Sequence, residues 1–226
     1  MSRLLHSVCI LAFALLTACD GESSMALPPD AVVFRADTSV TAYFGTPVNW
    51  SDTVWLELHA HGLRAFGEPP LRGASIKPNT FVLRFFWQRT FHPSVAVRVT
   101  RSTQGCGLVM TVKQNDMFLL PLLGSGEPPV LVPGTRLRKD SFALAVHTCD
   151  DLAARLDKIG LTAGGPWVQR RGVEGADWVF ERLDTRGHTA LLSWSPDCST
   201  ACSVFTAGMA FLQAAHALPS GPGELY

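Results

Sequence analysis

Residues 80–89 read Thr-Phe-Val-Leu-Arg-Phe-Phe-Trp-Gln-Arg, an order that forms two coherent faces only as an extended strand. Successive Cβ atoms of a strand point to opposite sides of the sheet, so Phe81, Leu83, Phe85 and Trp87 share one face while Val82, Arg84, Phe86 and Gln88 share the other. Residues 94–100 repeat the pattern, with Val95, Val97 and Val99 set against Ala96, Arg98 and Thr100. The corner Phe91-His92-Pro93 between them predicts a tight antiparallel connection, because Pro93 has no N–H to donate within a ladder. A third strand is predicted at 108–113, after a turn at Gly105-Cys106-Gly107. Further strands are predicted at 54–58, 141–146, 177–183 and 189–193. On the strand 177–183, Trp178 and Phe180 point one way and Asp177, Val179 and Glu181 the other, which makes Trp178 a core aromatic.

Helical signals are fewer. Thr148-Cys149-Asp150-Asp151 reads as a cap followed by first-turn acids, with Leu152, Leu156 and Ile159 on one face and Gly160 as terminator. A second helix is predicted over 199–218, with Val204, Phe205, Gly208, Leu212 and Ala215 on one side and Pro219 closing it. Strands, a helix, two more strands and a final helix make an α+β fold, an antiparallel sheet covered by about two helices in a single domain spanning 31–226.

The beginning of the chain carries an address. Residues 1–18 hold one positive charge, Arg3, followed by an apolar run over 4–16 that is broken only by His6 and Ser7. That run falls short of the roughly 20 apolar residues needed to cross a hydrocarbon core, and its basic start and small-residue exit predict a cleaved secretory signal. Leu16-Thr17-Ala18-Cys19 resembles the lipobox of bacterial lipoproteins, whose cysteine thiol takes the lipid before cleavage. The resemblance implies acylation of Cys19 and a membrane partner reached through that anchor. Two or three acyl chains would hold firmly where one would not. Residues 19–30 then form a tether, stiffened by Pro28-Pro29. Its ten residues from Gly21 reach about 33 Å at most, which keeps the domain close to the periplasmic side of a membrane. Asp20 leans the placement towards the inner membrane.

The sequence holds 19 Lys and Arg against 19 Asp and Glu, and removing Arg3 with the signal leaves a net charge of −1. With no basic stripe and no acidic tail, nucleic-acid binding is disfavoured. Beyond Cys19 the domain keeps Cys106, Cys149, Cys198 and Cys202, an even number that in an exported protein predicts disulfides. Cys198 and Cys202 are four residues apart, within bridging distance on a helical turn, which leaves Cys106 with Cys149. A zinc site is the competing reading, but there is no Cys-x-x-Cys pair and no neighbouring His to support it.

Three blocks of sequence resemble a family of bacterial proteins, many of them exported, that has no established function. Residues 82–99 (VLRFFWQRTFHPSVAVRV) are similar to its pattern Y-R-F-L-W-L-R-T-F-H-x-P-x-x-V-R. Gly172, Glu174, Gly175, Trp178 and Glu181 follow its G-x-D-G-x-x-W-x-x-E, and Trp194-Ser195-Pro196 follows its R-W-S-P. Glu68-Pro69-Pro70-Leu71 is a fourth point of similarity. The chain departs from the pattern where the family carries Tyr-His and Arg, having His188-Thr189 and Ser193 instead, and it replaces a Gly-Tyr-rich loop with a Leu/Pro-rich stretch. The resemblance therefore bears on fold and carries no activity.

Several constellations invite a functional reading. Arg84, Arg89, His92 and Arg98, with Glu68, Glu174 and Glu181, would suit a polar pocket for an anionic or sugar-like ligand, since Arg forks grip carboxylate or phosphate at two points. The structural alternative, which the pattern favours, places Arg84 and Arg98 on a partly solvated sheet face, paired with those glutamates. His59-Ala60-His61 would put two imidazoles on one face of a strand, but no acid or Cys nearby completes a metal site. Gly124-Ser125-Gly126 is not a hydrolase elbow, and Cys149 at a helix start reads as a bridge partner before it reads as a reactive thiol. With no catalytic signature, no metal and no cofactor implied, the expectation is a membrane-anchored binding module of the cell envelope, whose partner is another envelope protein or the wall. The alternative is a hydrolase or transferase of envelope polymers, using Glu68, Glu181 or His92 as acid and base.

Overall fold

A computed structural model describes residues 32–33, 43–44, 50–89, 92–114, 136–161, 167–169 and 175–221. In chain order the elements are β1 (Val32–Val33), α1 (Trp50–Ala65), β2 (Ser75–Ile76), β3 (Phe81–Arg89), β4 (Val95–Ser102), β5 (Gly105–Gln114) and β6 (Arg136–Leu144), followed by α2 (Val146–Lys158), β7 (Trp167–Gln169), β8 (Ala176–Asp184), β9 (Gly187–Trp194) and α3 (Cys202–Ala214). Seven strands form one sheet in the order β6-β5-β4-β3-β8-β9-β7, antiparallel throughout except where β7 runs parallel to β9. β1 and β2 pair separately. The fold is α+β.

The alternation in β3 sorts side chains between two cores. Leu83, Phe85 and Trp87 join Val95, Val97 and Val99 of β4, Leu108 and Met110 of β5, and Trp178 and Phe180 of β8. Helices α2 and α3 close this side with Leu152, Leu156, Val204, Phe211 and Leu212. Phe86 points the other way and packs with Ala96, Val179, Ala190 and Leu192 against Leu56, Ala60 and Leu63 of α1 and against Phe66 just after it. The sheet is therefore sandwiched, two helices on one face and one on the other, because β3 and β8 carry large apolar groups on both sides.

Helix α1 lies where a strand is expected at 54–58. Leu56, His59, Ala60 and Leu63 are buried, the spacing of a helical stripe, and a five-residue window around Leu56 is too short to distinguish that period from alternation. At α2 the expected cap at Thr148 is also replaced. The helix begins at Val146 with Ala145 as its extended N-cap, and the Thr148 and Cys149 N–H groups both donate to the Ala145 carbonyl. Thr148 is therefore already helical, while Gly160 ends the helix with a φ of 75° as expected. Helix α3 is shorter than 199–218, because Asp197 draws Ser199 and Thr200 into a turn before it and His216 adopts a φ of 53° after it. The strand expected at 141–146 is part of the longer β6, a mostly exposed edge strand whose charged first half carries no apolar alternation to read. Gly105-Cys106-Gly107 lies in strand β5, and the turn falls at Thr103-Gln104.

Both disulfides form as paired from the spacing, Cys106 with Cys149 and Cys198 with Cys202. The first ties β5 to α2 inside the core; the second lies on the surface at the start of α3. Trp178 is fully buried, and Gly208 of α3 sits against it so closely that a Cβ there would enter the indole ring. Gly175 and Trp194-Ser195 form a second close approach. The Ser195 N–H donates to the Ala176 carbonyl at 2.7 Å and its Oγ accepts from the Ala176 N–H at 3.0 Å, while Gly175 has a φ of 129° and a Cβ there would strike Ser195. The Gly-x-x-Trp and Trp-Ser-Pro blocks thus meet as a backbone clasp.

Candidate functional site

The α1 face of the sheet contains the strongest concentration of charge. Strand register puts Arg98, Arg84 and Glu181 in one row across β4, β3 and β8. The β8–β9 hairpin turns over Thr185-Arg186, with Asp184 opposite Gly187, so His188 stands opposite Leu183 on the same face as Glu181. The fourth charge arrives from the end of α1. Gly67, with a φ of 66°, donates to the Arg64 carbonyl, and the Glu68 N–H reaches back to the Leu63 carbonyl at 3.0 Å. This is a Schellman closure, and it directs the chain so that Glu68 enters the sheet face.

The four charges are paired with one another, Glu68 Oε2 through ion pairs alone and without a hydrogen bond. Arg84 Nε donates to Glu181 Oε2 at 2.6 Å, its Nη2 lies 2.5 Å from the same oxygen, and its Nη1 donates to the Pro69 carbonyl at 2.6 Å. Glu68 Oε2 sits between the two arginines, 3.6 Å from Arg84 Nη1 and 3.4 Å from Arg98 Nε. His188 Nε2 lies 2.9 Å from Glu181 Oε1, and the Tyr43 hydroxyl donates to the Glu68 carbonyl at 2.9 Å. Glu68 stands between Arg84 and Arg98, which face each other directly across β3 and β4, and so screens two like charges. Burial alone would push the Glu181 carboxyl up, but the Arg84 guanidinium and the His188 contact outweigh it and hold the carboxyl below its usual range. Burial raises the Tyr43 hydroxyl.

Arg84 and Glu181 are 0 % exposed and Glu68 2 %. The expected pairing of arginines with glutamates is present, but the expected partial solvation of Arg84 is not, because α1 and the Glu68-Pro69 segment cover this part of the sheet. Arg98 is the most open of the four, with its side chain 14 % exposed. His92 lies outside the cluster in the β3–β4 connection, beyond Arg89, and Arg89 is itself five residues along β3 from Arg84, about 17 Å at strand spacing. Arg89 fastens that connection, donating through Nε to the Pro93 carbonyl at 2.8 Å with its guanidinium 4.0 Å from the centre of the Trp87 ring. Cys19, the signal and tether residues 1–30, Gly172, Glu174 and Gly124-Ser125-Gly126 lie outside the described residues.

A second polar group sits under α1. His59 is buried, its Nδ1 3.0 Å from Gln88 Oε1 and its Nε2 3.9 Å from Asp177 Oδ2. Burial lowers the His59 pKa and raises that of Asp177, each effect opposed by the attraction between the two. Because 59–61 is helical, His59 and His61 point about 200° apart and do not form the shared face expected of a strand. No group of three or more metal-ligating side chains occurs among the described residues.

The sequence alone does not single out His188 as a partner of Glu181, His59 as a partner of Gln88 and Asp177, or Tyr43 as a donor to the Glu68 carbonyl. The first was within reach, since a two-residue hairpin after residue 184 puts His188 on the Glu181 face. The second needed the helical reading of 50–65. No family model matches the chain, and no curated protein is significantly similar to it. The likeness to exported bacterial proteins therefore rests on the quoted motifs.

Proposed function

We propose that this is an exported lipoprotein, anchored through Cys19 at the periplasmic face of a membrane, whose domain binds another protein of the cell envelope and performs no catalysis. The observation that carries the second half of this reading is the closure of the charge cluster upon itself. Of the acid–base candidates, Glu68 and Glu181 are engaged by Arg84, Arg98 or His188, and His92 lies outside the cluster in the β3–β4 connection. A general acid at neutral pH needs a carboxyl pushed up towards 7, and Glu181 is held in the opposite direction. A general base needs access to its substrate's proton, and both carboxylates are buried. The first half rests on the Leu16-Thr17-Ala18-Cys19 lipobox and the tether behind it. Inner-membrane retention, suggested by Asp20, belongs to the same proposal.

In-cell crosslinking of the full chain, followed by mass spectrometry of the adducts, tests the reading. The expected result is one dominant envelope protein, captured by wild type and reduced for a Cys19→Ala variant that is no longer held at the membrane. Capture of wall fragments alone would reassign the partner. Release of soluble products from envelope polymers by the purified domain, abolished by Glu181→Gln in a folded variant, would replace binding by catalysis.

A further inference from the structure

The two disulfides occupy contrasting environments, and the contrast assigns them different chemistry. Cys149 is 0 % exposed and Cys106 is 7 % exposed, so their bridge lies among Leu108, Leu152 and Leu156, out of reach of an attacking thiolate unless the core opens. Cys198 and Cys202 are both exposed, as are Ser199, Thr200 and Ser203 around them. Attack on a disulfide requires access to one sulfur and departure of the other as a thiolate, and both residues of this pair are exposed to solvent. The two sulfurs are not equivalent. Cys202 is the first residue of the thirteen-residue α3, whose first turn carries no acidic residue and no side-chain cap, so the positive end of the helix faces a thiolate there. Cys198 lies outside the helix, four residues before Cys202.

The surrounding turn is held by hydrogen bonds as well as by the bridge. Asp197 Oδ1 accepts from the backbone N–H groups of Ser199 and Thr200, both at 2.8 Å, and the Asp197 carbonyl accepts from the Ala201 N–H at 2.8 Å. Below the turn, α3 is seated on Trp178 through Gly208 and through Phe205, whose ring stacks on the indole at 5.9 Å. Opening the bridge thus leaves the start of α3 in place with both thiols at the surface.

We propose that Cys198–Cys202 is a thiol–disulfide exchange site, a redox-active pair that accepts two electrons from a dithiol. A thiolate of the dithiol attacks Cys198 Sγ, the Cys198–Cys202 bond breaks, and Cys202 leaves as a thiolate. The second thiol of the reductant, deprotonated, attacks its own sulfur in the mixed disulfide, closes the reductant's disulfide and expels the Cys198 thiolate. Both cysteines end as thiols, carrying the two protons and two electrons the dithiol has lost.

Titrating the folded protein with dithiothreitol, trapping thiols by alkylation and mapping them by mass spectrometry tests the site. The expected result is complete reduction of Cys198–Cys202 while Cys106–Cys149 stays intact, with the near-ultraviolet dichroism of the buried tryptophans unchanged. Simultaneous loss of both bridges, loss of Cys106–Cys149 first, or no reduction without denaturant overturns the proposal. The direction of attack is read separately from the pH dependence of alkylation in Cys198→Ser and Cys202→Ser. The Cys202 thiol left in the first should titrate below the ordinary value of about 8.5 and below the Cys198 thiol left in the second. The reverse order refutes Cys202 as the leaving group.

Discussion

Replacing Arg84 by Met keeps the length and most of the apolar bulk of the side chain but removes the guanidinium, which isolates the effect of charge. Wild type has three close contacts at this site, two to Glu181 Oε2 at 2.6 and 2.5 Å and one to the Pro69 carbonyl at 2.6 Å. The variant leaves Glu181 fully buried with His188 as its remaining polar partner among these contacts. Breaking a buried pair by deleting one partner costs about 3–5 kcal/mol. That is a large part of the roughly 5–15 kcal/mol expected of a domain this size, so the variant should fold with a much lower urea midpoint. Glu68 keeps Arg98 at 3.4 Å, which limits the loss to the Glu181 side of the cluster.

The pH dependence distinguishes charge from packing. In wild type the Glu181 carboxyl is held low, so its contribution is present above the ordinary carboxyl pKa and is lost as pH falls through the depressed value. Without Arg84, burial dominates and the pKa moves up. The ionised carboxylate then destabilises the fold at neutral pH, and the penalty relaxes as acid protonates it. The deficit of Arg84→Met should accordingly be greatest near pH 7 and shrink towards pH 4, whereas a packing defect would not vary with pH. Adding Glu181→Leu should recover about 2–3 kcal/mol relative to the sum of the single effects. A coupling below about 0.5 kcal/mol, or a deficit independent of pH, would refute the account of the cluster.

Gly208→Ala forces a methyl group into the Trp178 ring and should cost about 1–3 kcal/mol by denaturant titration; an unchanged midpoint would show that α3 can shift away from the sheet. The Cys106–Cys149 bridge spans 43 residues and Cys198–Cys202 spans 4, so chain entropy gives about 4 and about 2 kcal/mol for their removal by paired Cys→Ala variants. A larger loss at the surface bridge would contradict that order. His59 binds its proton less readily when folded, so its contribution is complete above about 6.5 and falls as pH drops below that value. Asp177 titrates with the opposite sign, its raised pKa favouring the fold in acid, so the test is the difference between wild type and His59→Gln in urea titrations from pH 7 to 5. An identical slope in the two proteins would remove His59 from the acid response.

The parts of the fold legible in the sequence are those where one period governs enough residues. In β3 and β4 the alternation persists through nine and eight residues, and the faces read from it are those found, including Trp178 and Phe180 together on the matching strand β8. Helix α1 was not legible as a helix, because its apolar stripe passes through His59 and the window read around Leu56 is shorter than two turns. β7 is three residues long and held by parallel pairing with β9, a long-range contact that leaves no local mark. The edge strand β6 faces solvent over much of its length, so it lacks the apolar rhythm of a half-buried strand.

The charge cluster shows why side-chain pairing is harder to read than strand faces. Alternation places Arg84 and Arg98 on the face opposite Trp87, and it places Glu181 opposite Trp178, but a face alone does not decide whether those charges are solvated. That depends on what covers the face, and here the cover is α1 with its Schellman end, the element for which the sequence suggested a strand. Once 50–65 is helical, Gly67 becomes the left-handed residue that turns the chain, and Glu68 follows into the gap between two arginines. A helix placed over a sheet face carrying Arg84 unpaired would leave a buried cation, at a cost of several kcal/mol. Covering the face and supplying Glu68 are therefore one requirement, met by the same stretch of chain.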